Sequence, residues 1–184
     1  MKRSLFKRIS NRALHLLARY CPGATTVRPW LHRIRGVKIG ENVFIGDDVY
    51  LENEHPEAVE IQSGVQISVR AVIVAHTRGA GKILIEKDVY IGPNTVIAAS
   101  SNRLLRIGEG AVLGAGVVVT NGVPARVFVA NESAKAIATV LVPLTKAARM
   151  EDFIRGLAPI TRRSKAPPSV AVHPNPRSVQ VSPD

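Results

Sequence analysis

The sequence predicts a mainly-β solenoid, a parallel β-helix of about four coils with an amphipathic helix before it and a shorter helix after it. Three observations predict this. From Val37 onward, apolar residues return every six positions, which fits neither the helical period of about 3.6 nor the strand period of about 2. Of 184 residues, 46% are hydrophobic but only 4% are aromatic, so the core is built from small and β-branched side chains. The basic charge is confined: residues 1–38 hold ten Lys/Arg and no acid, and all fourteen Asp/Glu lie from Glu41 onward.

Residues 1–36 form the basic N-terminal segment. Within it, 3–20 reads as a helix whose apolar side carries Leu5, Phe6, Ile9, Ala13, Leu16, Leu17 and Tyr20. Two roles remain open for that side: contact with an anionic membrane surface, or packing on the scaffold's end or a partner subunit. Cys21-Pro22-Gly23 stops the helix, and Pro29–His32 reads as a lead-in covering the first coil. His15 and His32 are assigned structural roles. Cys21, the single cysteine, excludes an internal disulfide and fits a small buried or interfacial hydrophobe. No apolar run approaches the roughly 18 residues of a membrane span, and no signal-peptide cleavage pattern stands at the N-terminus.

Residues 37–140 carry the repeat. The aliphatics fall in four groups of three: Ile39, Ile45, Leu51; Ile61, Ile67, Ile73; Ile85, Ile91, Ile97; Ile107, Leu113, Val119. Four residues after nine of them comes a small or β-branched residue, such as Val49, Ala71 or Thr95. A coil of three six-residue flats explains both series, with corners at Gly, Asn or Asp. Between groups the spacing grows by four, six and four residues, so three loops leave the same corner of successive coils, stacked about 4.8 Å apart. The third position after each group's last aliphatic then forms a column of Glu54, His76 and Ser100.

Residues 141–160 follow, with a helix predicted over Leu144–Leu157 and Pro143 near its start. From Arg162 the chain is rich in Pro, Ser and Arg, so 161–184, including His173, is expected to be a disordered tail.

Ile45–Tyr50 and Leu113–Val118 match the pattern [LIV]-[GAED]-x-x-[STAV]-x. Val89-Tyr90-Ile91-Gly92, Ile107–Thr120 and Val129–Ile137 match further motifs. On these residues, about 35–140 of the chain resembles the hexapeptide-repeat acyltransferases, and most closely their sugar and polysaccharide O-acetyltransferase subgroup. The resemblance implies that the β-helix is left-handed, an exception to the usual crossover hand. It implies acetyl-CoA as co-substrate, no metal, and a homotrimer with active sites between subunits.

The resemblance also assigns residues. His76 stands where the family keeps its general base, and a neutral imidazole there can take the acceptor's proton, typically for about 10²–10⁴-fold in rate. Glu54, in the same column, is expected to orient that ring or to hold the acceptor hydroxyl. His55, Ser100 and Tyr90 are expected to contact the acceptor. Ala115, Thr120, Asn121 and Lys135 match coenzyme-contacting positions; Lys135 is suited to phosphate, whereas Asn121 replaces the family's lysine, and Asn131-Glu132-Ser133 replaces Gly-Asn-Pro.

The short loop from His76 to Lys82 leaves the groove open, which favours a polysaccharide or lipid-linked saccharide acceptor. The expected location is the cytoplasm, with peripheral contact at the inner membrane face through residues 1–20. Nucleic acid is disfavoured because no aromatic platform accompanies the basic residues. Two other functions compete: a catalytically silent assembly protein, and a metal-dependent hydratase of the γ-carbonic anhydrase type. The hydratase needs three convergent histidines, where the coil edge offers only His55 and His76.

Overall fold

The computed structural model describes residues 5–77, 79–100, 102–132 and 135–160, with side chains from residue 9. The expected tail from 161, with His173, lies outside the described residues. The chain divides into two units, 1–132 and 133–184.

The first unit opens with α1 (Leu5–Tyr20) and α2 (Val27–Arg35). Pro29–His32, read in sequence as a lead-in, lies inside α2. Pro29 is accommodated in the first turn, where its missing N–H breaks no helical bond. Gly36 ends the helix in the left-handed region at φ 106°, its N–H bonded to Arg33 O at 2.9 Å.

The repeat then winds as its spacing predicts. The first coil contributes β1 (Lys38–Ile39), β2 (Phe44–Ile45) and β3 (Tyr50–Leu51). The second contributes β4 (Val59–Ile61), β5 (Gln66–Ile67) and β6 (Val72–Val74). The third contributes β7 (Lys82–Ile85), β8 (Tyr90–Ile91) and β9 (Val96–Ala98). The fourth contributes β10 (Leu104–Ile107), β11 (Val112–Leu113) and β12 (Val118–Val119), and β13 (Phe128–Val129) begins another turn. The strands stack into three parallel sheets, β1-β4-β7-β10, β2-β5-β8-β11-β13 and β3-β6-β9-β12.

Register keeps equivalent aliphatics in line: Leu51 pairs with Ile73, and Ile73 with Ile97. Inside, these aliphatics and the smaller Val49, Ala71 and Thr95 are fully buried. Thr95 Oγ1 donates to Gly114 O at 2.9 Å, satisfying the one polar group the small series brings in. Two corners of each coil turn on a left-handed residue: Asn42 and Asp48, Gly64 and Arg70, Asp88 and Asn94, Gly110 and Gly116. At the third corner the equivalent slot holds Glu54, His76 and Ser100, none of them left-handed; the left-handed residues there, Gly79 and Asn102, lie further along the loops. There the chain makes its insertions, and His76 occupies the slot that a turn residue fills elsewhere.

The outward faces differ. The first sheet presents Lys38, Glu60 and Arg106, whereas the third presents Tyr50, Val72, Val96 and Val118. Phe44, Tyr90 and Phe128 stand exposed on the second.

The second unit is a small antiparallel pair, β14 (Ala138–Val140) with β15 (Leu157–Pro159), enclosing a 3-10 turn at Leu144–Lys146 and α3 (Met150–Arg155). Residues 138–140, expected within the β-helix stretch, pair with this C-terminal strand. The helix expected over 144–157 is reduced to six residues. Val140 pairs with Leu157, so the chain must double back between them; a continuous 14-residue helix would carry its ends about 20 Å apart.

Candidate active site

The loops after β3, β6 and β9 share one corner. The middle loop is closed by its backbone, Gly81 N–H donating to Ala75 O at 2.7 Å, and is tied to the next coil by the Thr77 side chain, whose Oγ1 donates to Ala99 O at 2.7 Å. Gly81 has no room for a side chain, since a Cβ there would lie 2.7 Å from Ser100 O. The closed loop presents His76 half-buried at the corner, with 35% of its side chain exposed.

The ring's partner is Glu52, the first residue after β3. Its carboxylate is fully buried and every lone-pair direction is engaged. Oε1 accepts the N–H of Glu54 at 2.8 Å and of His55 at 3.0 Å; Oε2 accepts the N–H of Ala75 at 2.7 Å and His76 Nδ1–H at 2.7 Å. Burial opposes the charge, but the His55 N–H, the His76 ring and the Ala75 N–H outweigh it and hold Glu52 below the usual carboxylate range. An ionised carboxylate only accepts, so Nδ1 carries the proton in the neutral ring and Nε2 keeps its lone pair. That tautomer is the one a general base at Nε2 requires.

The loop carrying Glu52 is pinned from behind by the N-terminal helices. Arg35 Nη2 donates to Glu52 O at 2.8 Å and Leu51 O at 3.3 Å. Asn11 Nδ2 donates to Asn53 O and, at 3.3 Å, to Asn53 Oδ1, which also accepts from His15 Nδ1 at 3.1 Å. His32 Nδ1 in turn accepts from Arg35 Nη1 at 2.7 Å.

Burial, reinforced by the Arg35 charge, lowers His15 to about 4 against the pull of its Asn53 bond, and lowers His32 to about 3. Burial likewise brings Arg35 down to about 10, with Tyr50 and Glu52 acting in the opposite sense. His15 and His32 are therefore neutral structural groups, and both bury an Nε2 without a hydrogen-bond partner.

The expected site residues are distributed unevenly. Glu54 lends its backbone N–H to Glu52, but its carboxylate lies 3.6 Å from Arg12; the carboxylate bonded to the His76 ring is Glu52. The His55 ring stands beside that of His76, centroids 6.2 Å apart. Ser100, one coil further on, shares a cleft of about 470 Å³ with Thr120 and Asn121. Tyr90 stands on the second sheet, its hydroxyl 3.2 Å from Ser68 Oγ, away from this corner. Ala115 is exposed in a turn whose Gly116 O accepts from Asn131 Nδ2 at 2.7 Å, so the substituted 131 position has its own anchor. Lys135 is exposed in the second unit, and Ser133 lies outside the described residues.

Beside His76 an open cleft of about 480 Å³ is lined by Arg19, Asp48, Tyr50, Arg70, Val72 and Val74. Among the described residues, no group of three His, Cys, Asp or Glu side chains is arranged to hold a metal ion. The arrangement supplies a buried anion, an oriented imidazole and an open approach to its free nitrogen, which together suit removal of a proton from an acceptor.

No protein-family model matches the chain. Among curated proteins it is 30% identical over 139 residues to YvoF of Bacillus subtilis, named there as a candidate acetyltransferase, covering 72% of this chain and 78% of that one. It is 40% identical over 75 residues to 2,3,4,5-tetrahydropyridine-2,6-dicarboxylate N-acetyltransferase of Staphylococcus aureus, covering 40% of this chain and 30% of the enzyme. Among solved structures it aligns with apo serine acetyltransferase from soybean at 25% identity and TM-score 0.43, over 66% of this chain and about half (52%) of that one.

Proposed function

Because the chain belongs to the hexapeptide-repeat acetyltransferase family, we propose that it moves an acetyl group from acetyl-CoA to a hydroxyl of a saccharide, with His76 as general base. The observation that carries this reading is the His76 Nδ1 contact to the buried Glu52 carboxylate at 2.7 Å. In the proposed step Nε2 takes the acceptor's proton as its oxygen attacks the thioester carbonyl carbon. The tetrahedral intermediate then collapses, the thiolate of coenzyme A leaves, and it recovers the proton from the imidazolium.

Glu52 keeps the ring in the required tautomer and stabilises its charged form while the proton is held. Glu54 and His55, on the facing loop, are placed to meet the acceptor. Ser100, Thr120 and Asn121 line one cleft, which supports a continuous path from acceptor to coenzyme along the stack; Ala115 and Lys135 are proposed as further coenzyme contacts.

A saccharide is supported by the open cleft beside His76, where Arg19, Arg70, Asp48 and Tyr50 offer polar groups for hydroxyls and Val72 and Val74 an apolar floor for the sugar ring. A homotrimer is supported by the apolar outward ladder of Tyr50, Val72 and Val96 next to the same cleft, since a flat of that kind is normally covered. A second reading, transfer to an amine of an amino-acid-like acceptor, is favoured by the similarity to the staphylococcal N-acetyltransferase.

The test is thioester consumption by wild type and His76→Ala, with one panel of oligosaccharides and one of amino-acid amines. Wild-type turnover with the first panel and a loss of about 10²–10⁴-fold in the variant are expected. Turnover confined to amines would overturn the saccharide. Normal turnover by the variant would remove His76 as base, and wild type that neither consumes the thioester nor is stabilised by coenzyme A would leave the silent assembly role.

A further inference from the structure

The two N-terminal helices are mounted with their apolar sides outward. On α1, Asn11, His15 and Ala18 face the first coil, while Ile9, Leu16, Leu17 and Tyr20 are exposed, Leu17 at 57% and Tyr20 at 66%. A surface helix normally does the reverse. Its spacing of Ile9, Leu16, Leu17 and Tyr20 is that of a helical stripe, and the sequence carries the same spacing back to Leu5. On α2, which packs against α1, Trp30 at 56% and Ile34 at 51% form a second exposed stripe. The inward sides cannot be exchanged for these stripes, because Arg28 and Arg35 are committed to Ile45 O, Leu51 O and Glu52 O of the first coil.

The charge around the stripes selects what covers them. Residues 1–38 carry ten Lys/Arg and no acid. Arg28 and Arg35 turn into the first coil, and Arg12, Arg19 and Lys38 meet Glu54, Asp48 and Glu60. The charge left for a partner is that of Arg33 and of Lys2, Arg3, Lys7 and Arg8, which the sequence places at and just before the start of α1. A like face on a second copy would meet this one cation against cation, which opposes self-association there. An anionic lipid surface offers both chemistries at once: hydrocarbon for the leucines, phosphate for the cations, and an interfacial zone for the amphipathic rings of Trp30 and Tyr20. The geometry is that of a helix lying on a bilayer, since among the described residues no helix is long and apolar enough to cross one.

We infer that the outward face of α1 and α2 docks this protein on an anionic membrane surface. This rests on the placement of the helices and is independent of the proposed acetyl acceptor.

Trp30 is the single tryptophan, so it reports on the surface directly. The full-length protein is titrated with vesicles of phosphatidylcholine alone and of phosphatidylcholine mixed with phosphatidylglycerol, following Trp emission and co-sedimentation. A blue shift and co-sedimentation with the anionic vesicles, both weakened by added salt, are expected. The double variant Leu16→Glu/Leu17→Glu should partition at least roughly tenfold more weakly while keeping the wild-type melting temperature. Absence of binding to anionic vesicles would overturn the proposal, as would equal binding by the double variant. It would equally be overturned if the wild type stayed off vesicles and its mass by sedimentation equilibrium dropped in the double variant, because the stripes would then be seating a second copy.

Discussion

Glu52 and Glu86 occupy the same slot of the repeat, the residue directly after an inward aliphatic, and they do different things. Glu86 follows Ile85 at an ordinary corner. Its Oε1 accepts from Arg106 Nε at 2.7 Å and its Oε2 from the Glu109 N–H at 3.0 Å. The Arg106 bond is the main reason its carboxyl sits below the usual range. Glu52 follows Leu51 at the insertion corner. There the longer loop folds over it, excludes water, and replaces an arginine with three backbone N–H groups and an imidazole. The repeat tolerates an acid at this slot; the corner decides whether that acid closes a surface turn or orients a histidine.

The largest effect that tests this contrast is Glu52→Gln. Both Glu52 oxygens receive donors, so an amide must turn its NH₂ toward one donor pair. The His76 ring then loses a charged acceptor that fixes its tautomer, a loss worth up to about 10⁴-fold where a His–carboxylate pair performs base catalysis. Turnover should fall at least about 10²-fold, with little change in the affinity for coenzyme A. The melting temperature should drop as well, since an unpaired buried donor costs about 1–3 kcal/mol. Wild-type kcat in E52Q would leave Glu52 with no more than the architectural role of Glu86.

The repeat and its corner were readable because a six-residue period is a property of spacing alone. The column of Glu54, His76 and Ser100 followed from counting, and the strand registers agree with it. Glu52 escaped because the same count classifies Leu51-Glu52 as an ordinary repeat pair, identical in pattern to Ile85-Glu86. Its role depends on side-chain direction across two coils, Glu52 reaching up to Ala75 and His76, which no linear spacing encodes. The position preceding an insertion is the one signal that separated it from Glu86. α2 was missed for a related reason: Pro29 reads as a breaker unless it is known to sit in a first turn. The outward mounting of α1 was also unreadable, because the polar residues on its inner side, Asn11, His15 and Arg19, have partners that lie 29 to 42 positions away in sequence.

The next effect lies behind Glu52. His15 and His32 are held neutral, with pKa values lowered to about 4 and about 3 against an unfolded value near 6.5. Both forms are neutral above that value, so these rings leave stability flat there. As pH falls below about 6.5 the unfolded chain takes up protons that the folded one refuses, so each ring removes up to about 1.4 kcal/mol per pH unit until its folded pKa is reached. Glu52 adds its own loss only at lower pH: its contribution is complete above its unfolded value of about 4.3 and disappears as pH falls through the lower folded one. Melting temperature should therefore be level from pH 8 to about 6.5 and decline steadily below it. His32→Gln, which keeps an acceptor for Arg35 but cannot titrate, should flatten part of that slope. An unchanged slope in H32Q would place the acid sensitivity elsewhere.

The smallest effect is the other half of the comparison. Glu86→Gln keeps an oxygen for either Arg106 or the Glu109 N–H, and its amide can turn the remaining polar group toward water. Nothing is left buried without a partner, which is the condition that makes Glu52→Gln costly. An exposed ion pair of this kind contributes little and is screened by salt, so turnover should stay within roughly twofold of wild type. The melting-temperature change should be smaller than for E52Q and should shrink further as salt is raised. If E86Q instead lost turnover as E52Q does, the corner would not be what separates the two carboxylates. The repeat slot itself would then be carrying an effect along the stack to His76.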